Sequence, residues 1–282
     1  MAVTVGLVAQ LIEKIAPKYW AEDWDNVGLL VGSGSKPIER ILLTLDCTLD
    51  VVEEAKECGA QLIVAHHPII FRPLKNLRAD NAAAQVPLRL LQHEISYYAA
   101  HTNLDQSIIS SSRVLGDLLE LEKMELLERV YEANPSRNIG EERERGYGVC
   151  GYLRHPKQLG VLWKGFLDRL EQSGVYSQAY KHTGIRLAGS VESEVRKVAI
   201  VNGSGGRFVQ KALFKGNDLL ITGDVDHHAV LDALDGGMAI GDLGHFLSEA
   251  PMLRKIYDYL AAEKSLQEIE IRVSSVNRSP WL

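Results

Sequence analysis

The feature that most constrains the fold of this chain is an internal repeat. Residues 40–64 and residues 197–221 align without a gap, and the alignment places Gly59 on Gly216. Each copy has an apolar run of strand length, a turn, a helical stretch that ends at a glycine suited to a left-handed cap, and a second apolar run. This order predicts two βαβ units with parallel strands.

The two copies also continue in the same way. Each is followed by a helical stretch, at 81–94 and 226–235, and then by a short strand-like run, at 95–100 and 237–241. We therefore expect an α/β fold made of two related α/β lobes, with mixed, largely parallel sheets that face a cleft.

The segment between the copies is charged and contains turn residues. We interpret residues 122–148 as a boundary that holds an exposed loop near 132–146. A strand-like piece near 148–153 and a helical stretch near 157–173 then precede the second copy. The second lobe is thus expected to begin close to residue 122.

The C-terminal part is expected to return to the first lobe. An amphipathic helical pattern covers residues 251–264, and residues 268–276 alternate like a final strand. We predict a second lobe of residues 122–224 and a first lobe of residues 1–121 plus 225–282, which contains the candidate site residues His66, His67, Asp105, His245 and Glu249.

Length, charge and cysteine content limit the class of protein. The chain has 282 residues, 46% of them hydrophobic, which is enough to fill two cores. Its 31 basic and 37 acidic residues give a net charge of -6, which argues against a nucleic-acid partner and against an acidic membrane surface. No apolar run approaches the ~20 residues of a membrane-spanning helix, and the three cysteines have no CxxC spacing. We expect a cytoplasmic protein without a thiolate metal site.

Histidines stand where the predicted strands end, which is where loops gather side chains into one crevice. His66 and His67 directly follow an apolar run, and Pro68 favours an extended backbone at His67. Neighbouring side chains of a regular strand point to opposite faces, so the two imidazoles can share a site only where the strand turns. Two rings with slightly different directions suit two adjacent metal ions better than one. Taken alone, a His-His-Pro sequence is more often a polar turn between a strand and a loop.

Two further groups strengthen the metal interpretation. A second strand-like run ends in His101 and Asp105, and a carboxylate such as Asp105 can bridge two close cations. The alternative is that Asp105 or Asn103 caps the next helix. His245 and Glu249 are one helical turn apart, although Glu249 could simply stabilise the dipole of a helix that starts near Pro251.

Six motifs, taken in order, resemble the Nif-three-like dinuclear metal-centre family, whose members are commonly called GTP cyclohydrolase 1 type 2 homologues. They are WDNVGLLVG at 24–32, HHPIIF at 66–71, HTNLD at 101–105, NGSGG at 202–206, TGD at 222–224 and GHFLSE at 244–249. The resemblance spans nearly the whole chain, without the third domain that some members insert between the halves.

The resemblance implies a two-metal site and an assembly. The matching ligands of two divalent transition-metal ions are His66, His67, Asp105, His245 and Glu249, and the two carboxylates are available as bridges. His101 and His228 match nearby polar positions, where an imidazole could move protons. Imidazole and carboxylate ligands suit zinc, iron, manganese, nickel or cobalt without choosing between them. The family also implies a toroidal homohexamer with the metal sites facing an internal cavity.

Two hypotheses for function follow. The first is a metal-dependent hydrolase that acts on a nucleotide or related heterocycle, with GTP ring opening implied by the resemblance. The second is a metal-binding scaffold or regulatory interaction protein without catalysis, which a closed metal site would favour.

Two motifs add weaker indications about the substrate. Residues 202–206 could hold a phosphate with free backbone N–H groups, or could be a tight turn that needs glycine. Trp24 could stack on a heterocycle near the metal ions, although a buried tryptophan beside a capping Asp25 is the more common arrangement.

Overall fold

The computed structural model describes residues 2–131, 144–173 and 184–281. The chain divides into two compact units. The first unit comprises Met1–Leu104 and Leu253–Arg278, and the second comprises Asp105–Met252 and Ser279–Leu282.

The first unit is built on a mixed sheet. Its strands, among the described residues, are β1 (Gly28–Val31), β2 (Arg40–Thr44), β3 (Leu62–Ala65), β4 (Ser96–Ala99) and β11 (Glu270–Val273). They follow the order β1-β4-β3-β2-β11, in which only the β1–β4 pair is antiparallel. The helices α1 (Val5–Ile15), α2 (Leu49–Glu57) and α3 (Ala82–Gln92) belong to this unit, and α4 (Thr102–Asp105) reaches its boundary. Every residue of β3 and β4 is buried, as expected for central strands of a covered sheet.

The second unit contains the other mixed sheet. Its described strands are β5 (Glu122–Arg129), β6 (Gly146–Gln158), β7 (Arg186–Ala188), β8 (Glu194–Ser204), β9 (Leu219–Gly223) and β10 (Ala239–Asp242). Their order is β5-β6-β8-β9-β10-β7, and β8, β9 and β10 are parallel. The helices of this part are α5 (Ser111–Leu118), α6 (Leu159–Gln172), α7 (Val209–Phe214), α8 (His227–Asp235) and α9 (His245–Glu249), and α10 (Pro251–Ala262) leads back to the first unit.

The internal repeat is confirmed by strand register. Ile41 pairs with Leu62 in the first unit, and the residues at the corresponding repeat positions, Val198 and Leu219, pair in the second. Gly59 and Gly216 both adopt left-handed backbone, with φ of 69° and 68°. These glycines end α2 and α7 as predicted, because a residue with a Cβ is strained in this conformation. The α/β fold class is therefore confirmed.

The segment between the repeats begins with a strand that we did not predict. Residues 122–129, which we interpreted as part of a charged boundary, form the edge strand β5. Its charged residues are compatible with a strand because most of its positions are at least partly exposed, and charge on an edge strand opposes unwanted pairing. Most of the loop predicted near 132–146 lies outside the described residues.

The lobe boundaries also differ from the prediction. We assigned residues 225–282 to the first lobe, but β10 pairs with both β9 and β7, so the second unit continues to Met252. Asp105, His245 and Glu249 consequently belong to the second unit, whereas His66 and His67 belong to the first. The predicted return of the C-terminal strand is confirmed, because β11 pairs with β2.

None of the helices in the described part of the chain combines the length and the apolar composition needed to cross a membrane.

Candidate metal centre

His66 and His67 lie immediately beyond the end of β3. Their backbone N–H groups donate to the carbonyl oxygens of Thr44 and Leu45, at 3.2 and 3.0 Å, so the chain stays alongside β2 after the strand itself ends. The two imidazole rings have centroids 4.9 Å apart and are tilted by 51°. The turn at the strand end thus brings both rings to the same side, which the sequence alone left open.

His101 lies beside this pair in the first unit. Its ring centroid is 5.0 Å from that of His66 and 5.5 Å from that of His67. Each of the three residues has a ring nitrogen within 4.8 Å of a ring nitrogen of the other two. The first unit therefore holds a cluster of three imidazoles, which we call the imidazole cluster.

Each imidazole in the cluster is oriented by an oxygen acceptor at Nδ1. The acceptors are the Ala100 carbonyl oxygen for His66 at 2.8 Å, Asp46 for His67 at 2.7 Å and Asp25 for His101 at 2.9 Å. In the neutral ring, a proton on Nδ1 makes Nε2 the nitrogen that carries the lone pair. Metal-binding histidines in proteins are held in this way by a carbonyl or carboxylate oxygen.

Asp25, which holds His101, is a carboxyl group with a clearly lowered pKa. Burial raises its pKa, but hydrogen bonds from His101 and Thr102 outweigh burial and lower the pKa to about 2. The ionised Asp25 also accepts hydrogen bonds from the Thr102 backbone N–H and hydroxyl, at 3.1 and 2.5 Å. Asp25 therefore fixes the position of His101 and also accepts a hydrogen bond from the backbone at the start of α4. Trp24 is 57% exposed, so its expected burial was wrong.

In the second unit, helix α9 places His245 and Glu249 on one face. His245 Nε2 is 3.2 Å from Glu249 Oε2, and His245 Nδ1 is 2.9 Å from Asp224 Oδ2. His245 is thus oriented by a carboxylate at Nδ1, as are His67 and His101. Glu249 ends α9 and precedes α10, so it does not occupy the first turn of a helix as the alternative required.

Asp105 lies close to Glu249. A carboxylate oxygen of each residue lies within 4.8 Å of one from the other, and Glu249 is only 3% exposed. Asp105 accepts a hydrogen bond of 2.7 Å from the side-chain amide of Asn202, and α5 begins after Ser110, so Asp105 is not its capping residue. Two adjacent carboxylates repel each other in a buried site, and a cation between them would offset that repulsion. This donor set therefore fits a divalent metal ion.

The glycine-rich segment 202–206 packs against Glu249. The backbone N–H of Asn202 donates to Ser112 Oγ and that of Gly203 donates to Ser248 Oγ, both at 2.9 Å. These two N–H groups are therefore already hydrogen-bonded within the protein and do not point to a phosphate site. Gly203 has a φ of 63°, and a Cβ there would collide with Oε1 of Glu249. The tight-turn interpretation is therefore the better one for this motif.

A cavity of about 340 Å³ lies against His245 in the second unit. Its lining includes Arg186, Asp242, His245, Phe246, Leu247 and Trp281. The His245 side chain is 37% exposed, so this group remains accessible to small molecules. Sites that bind small molecules commonly have cavities of this size.

His228 is placed differently from the other candidates. It lies exposed near the start of α8, where Asp226 caps the helix, and its ring centroid is 5.5 Å from that of His227. Across the described ranges, the groups of ligand atoms close enough to share a metal ion do not include His228. Its catalytic role stays a prediction.

Sequence reasoning missed the carboxylates that orient the histidines. Asp46 follows β2 and Asp224 follows β9, at strand ends of the kind that carry the histidines themselves. The usable signal was the position of each aspartate at the carboxyl end of a parallel strand, where side chains converge.

The sequence and structure were compared with known proteins. The family model for Duf34/NIF3 (NGG1p interacting factor 3) matches residues 3–280. A GTP cyclohydrolase 1 type 2 homolog from Clostridium perfringens is 35% identical over 274 residues, which cover 97% of each chain. A protein of the same name from Streptococcus pneumoniae is 31% identical, again covering 97% of both chains.

Solved structures show the same fold. A Bacillus cereus protein related to NIF3 matches with a TM-score of 0.85 at 23% identity, covering 100% of this chain and 99% of the other. Reduced HcgD from Methanocaldococcus jannaschii matches with a TM-score of 0.75 at 24% identity, covering 98% and 99%.

Proposed function

This chain belongs to the Duf34/NIF3 family, and from that premise we propose that it is a dinuclear-metal-dependent hydrolase of a nucleotide or related heterocycle. The proposed ligands are His66, His67, Asp105, His245 and Glu249. The naming of the relatives as GTP cyclohydrolase 1 type 2 homologs makes GTP the first substrate to test.

The observation that carries the metal proposal is the orientation of the histidines. All three proposed imidazole ligands have Nδ1 hydrogen-bonded to an oxygen, an arrangement that suits Nε2 for binding a metal ion. The buried Glu249 beside Asp105 adds negative charge that two cations would balance. Five donors of mixed type are more than a single hydrolytic ion with open positions needs.

Hydrolysis is supported by accessibility and by a candidate proton carrier. Two divalent ions would lower the pKa of a water molecule and offset negative charge that develops on the substrate. His245 borders the cavity in the second unit, so the proposed site is not closed. His101 is assigned the proton-transfer role, because Asp25 holds its ring at Nδ1, at 2.9 Å, beside the two proposed imidazole ligands of the first unit.

One observation favours a second function. The family description names an interacting factor, which suits a non-catalytic metal-binding scaffold or regulatory protein. The same ligands would then hold metal for assembly or recognition rather than for chemistry.

One experiment separates the two functions. Purified protein is stripped with a chelator, reloaded with zinc, iron, manganese, nickel or cobalt in turn, and assayed for metal content and for turnover of GTP and other nucleotides. Turnover that requires metal supports the hydrolase. A full metal complement with no turnover of any nucleotide supports the scaffold, and His93→Ala is the control for nonspecific metal binding.

We further propose that the chain assembles into a homo-oligomer, with the toroidal hexamer of the family as the expected form. Multi-angle light scattering at micromolar concentration tests this directly. A monomer under those conditions would contradict it.

A further inference from the structure

Two large aromatic side chains are exposed together beside the imidazole cluster. Trp24 is 57% exposed and Phe71 is 47% exposed, and their ring centroids are 5.8 Å apart with a tilt of 54°. Removing an aromatic ring from contact with water lowers the free energy, so an exposed pair of rings is a candidate binding surface. We call these two residues the aromatic pair.

The aromatic pair directly adjoins the imidazole cluster. The Trp24 ring contacts the His101 ring edge to face, with centroids 6.2 Å apart and an angle of 75°. His101 in turn lies 5.0 Å from His66 between centroids. A ring that stacked on Trp24 would therefore lie within reach of the histidines to which we assign metal binding and proton transfer.

The segment that carries Trp24 is held in place by the two residues that follow it. Asp25 anchors it to His101 and to Thr102. The Asn26 side-chain amide donates a 2.5 Å hydrogen bond to the carbonyl oxygen of Ile70, the residue before Phe71. Asp25 and Asn26 thus fix Trp24 next to Phe71, and a preordered surface loses little entropy when a ligand binds.

The chain segment that follows Phe71 carries positive charge, which favours an occupant with an anionic group. Arg72 directly follows Phe71 and Lys75 lies three residues further on, and both side chains are exposed. Asp23 and Asp25 flank Trp24, so the positive charge lies on the Phe71 segment. A ligand whose ring stacks on Trp24 and whose phosphate group extends along the Phe71 segment fits this distribution of charge. A nucleotide has both.

We propose that Trp24 and Phe71 bind the planar ring of a nucleotide by stacking and hold it against the imidazole cluster, whether or not metal is present. This inference rests on the proposed function, because it assigns the ring to the substrate of the same site. It names the two residues that select a heterocycle over a ring-free phosphate ester.

The test uses metal-stripped full-length protein with guanosine monophosphate and ribose 5-phosphate as probes. Tryptophan fluorescence is expected to be quenched by the first probe and not by the second, and Trp281→Leu should keep that response. Calorimetry should show binding weakened about five-fold to a hundred-fold in Trp24→Leu and in Phe71→Leu, and largely restored in Trp24→Phe. Phe214→Leu, which removes another exposed aromatic ring, should bind as the wild type does.

Several results would overturn the proposal. Unchanged affinity in a folded Trp24→Leu protein would do so, and so would absence of nucleotide binding by the wild type. A lower oligomeric state in both variants, with unchanged nucleotide affinity, would assign the aromatic pair to a contact between copies of the chain. Failure of the hydrolase proposal looks different, because turnover would be absent while ring binding still depended on Trp24.

Discussion

Replacing Glu249 with Gln tests the metal centre through opposite effects on stability in the absence and presence of metal. The substitution keeps the shape of the side chain and removes one negative charge from a residue that is 3% exposed. Asp105 and Glu249 have carboxylate oxygens within 4.8 Å. Two unit charges at that separation repel by about 3 kcal/mol at an effective dielectric constant of 20.

The two conditions should therefore give opposite results. Without metal at pH 8, where imidazoles are ordinarily neutral, Glu249→Gln should be more stable than the wild type by up to about 3 kcal/mol. With metal, the variant should be less stable, because it has lost a ligand and the stabilisation that bound metal gives the folded state. Thermal unfolding with chelator and with excess metal, together with elemental analysis, measures both effects.

His93→Ala is the control for this test, and two outcomes would refute the reasoning. His93→Ala should keep the metal content of the wild type, since His93 lies at the end of α3 and has no assigned ligand role. A well-folded Glu249→Gln protein that retains two ions would contradict the proposal that the Glu249 carboxylate bridges them. Equal stability of variant and wild type without metal would show that the two carboxylates are not both ionised.

Three other substitutions test individual contacts. Gly203→Ala should lower metal content and destabilise the protein by about 1–3 kcal/mol, because the new Cβ strains the left-handed backbone and collides with the Glu249 carboxylate. Gly216→Ala is the control, because Gly216 has a similar φ with open space around it, and this variant should keep its metal. Asp224→Asn should weaken metal binding about 10-fold to 100-fold by loosening the orientation of His245, as competition with a chelating dye would measure. Asp25→Asn should lose stability at neutral pH, and the loss should shrink as pH falls from about 4 toward 2. The lowered pKa of Asp25 contributes stability that is fully present above the unfolded-state pKa of about 4 and is lost as the folded carboxyl becomes protonated near pH 2; urea unfolding across this range measures it, and a pH-independent difference would contradict it.

Much of the fold followed from the sequence because the repeat carries two kinds of information. The apolar runs at 41–44 and 62–65 predicted parallel strands, and the spacing to Gly59 predicted the helix between them. Both are local patterns of burial and backbone conformation. Neither pattern states which sheet a later strand joins, so β10 was assigned to the wrong lobe although its position along the chain was right.

The errors also have physical causes. β5 is an edge strand with charged, partly exposed side chains, so it lacks the apolar run that marks a central strand. Trp24 was expected to be buried because tryptophan usually is, whereas hydrogen bonds made by Asp25 and Asn26 hold the segment and leave its ring exposed.

The candidate site was only partly accessible from the sequence. Residue type and strand-end position were enough to select the histidines and carboxylates. The oxygen acceptors at Nδ1 required coordinates, because Asp46 lies 21 residues from His67 along the chain, as Asp224 does from His245. Side-chain orientation across such separations depends on packing rather than on local pattern.

The central claim is that this chain holds two metal ions, and elemental analysis of the reloaded, desalted protein tests it most directly. We expect close to two transition-metal ions per chain in the wild type and in His93→Ala, and a clear loss in His67→Ala and Glu249→Gln, with all four proteins folded by circular dichroism. One ion or none per wild-type chain after reloading would contradict the dinuclear centre.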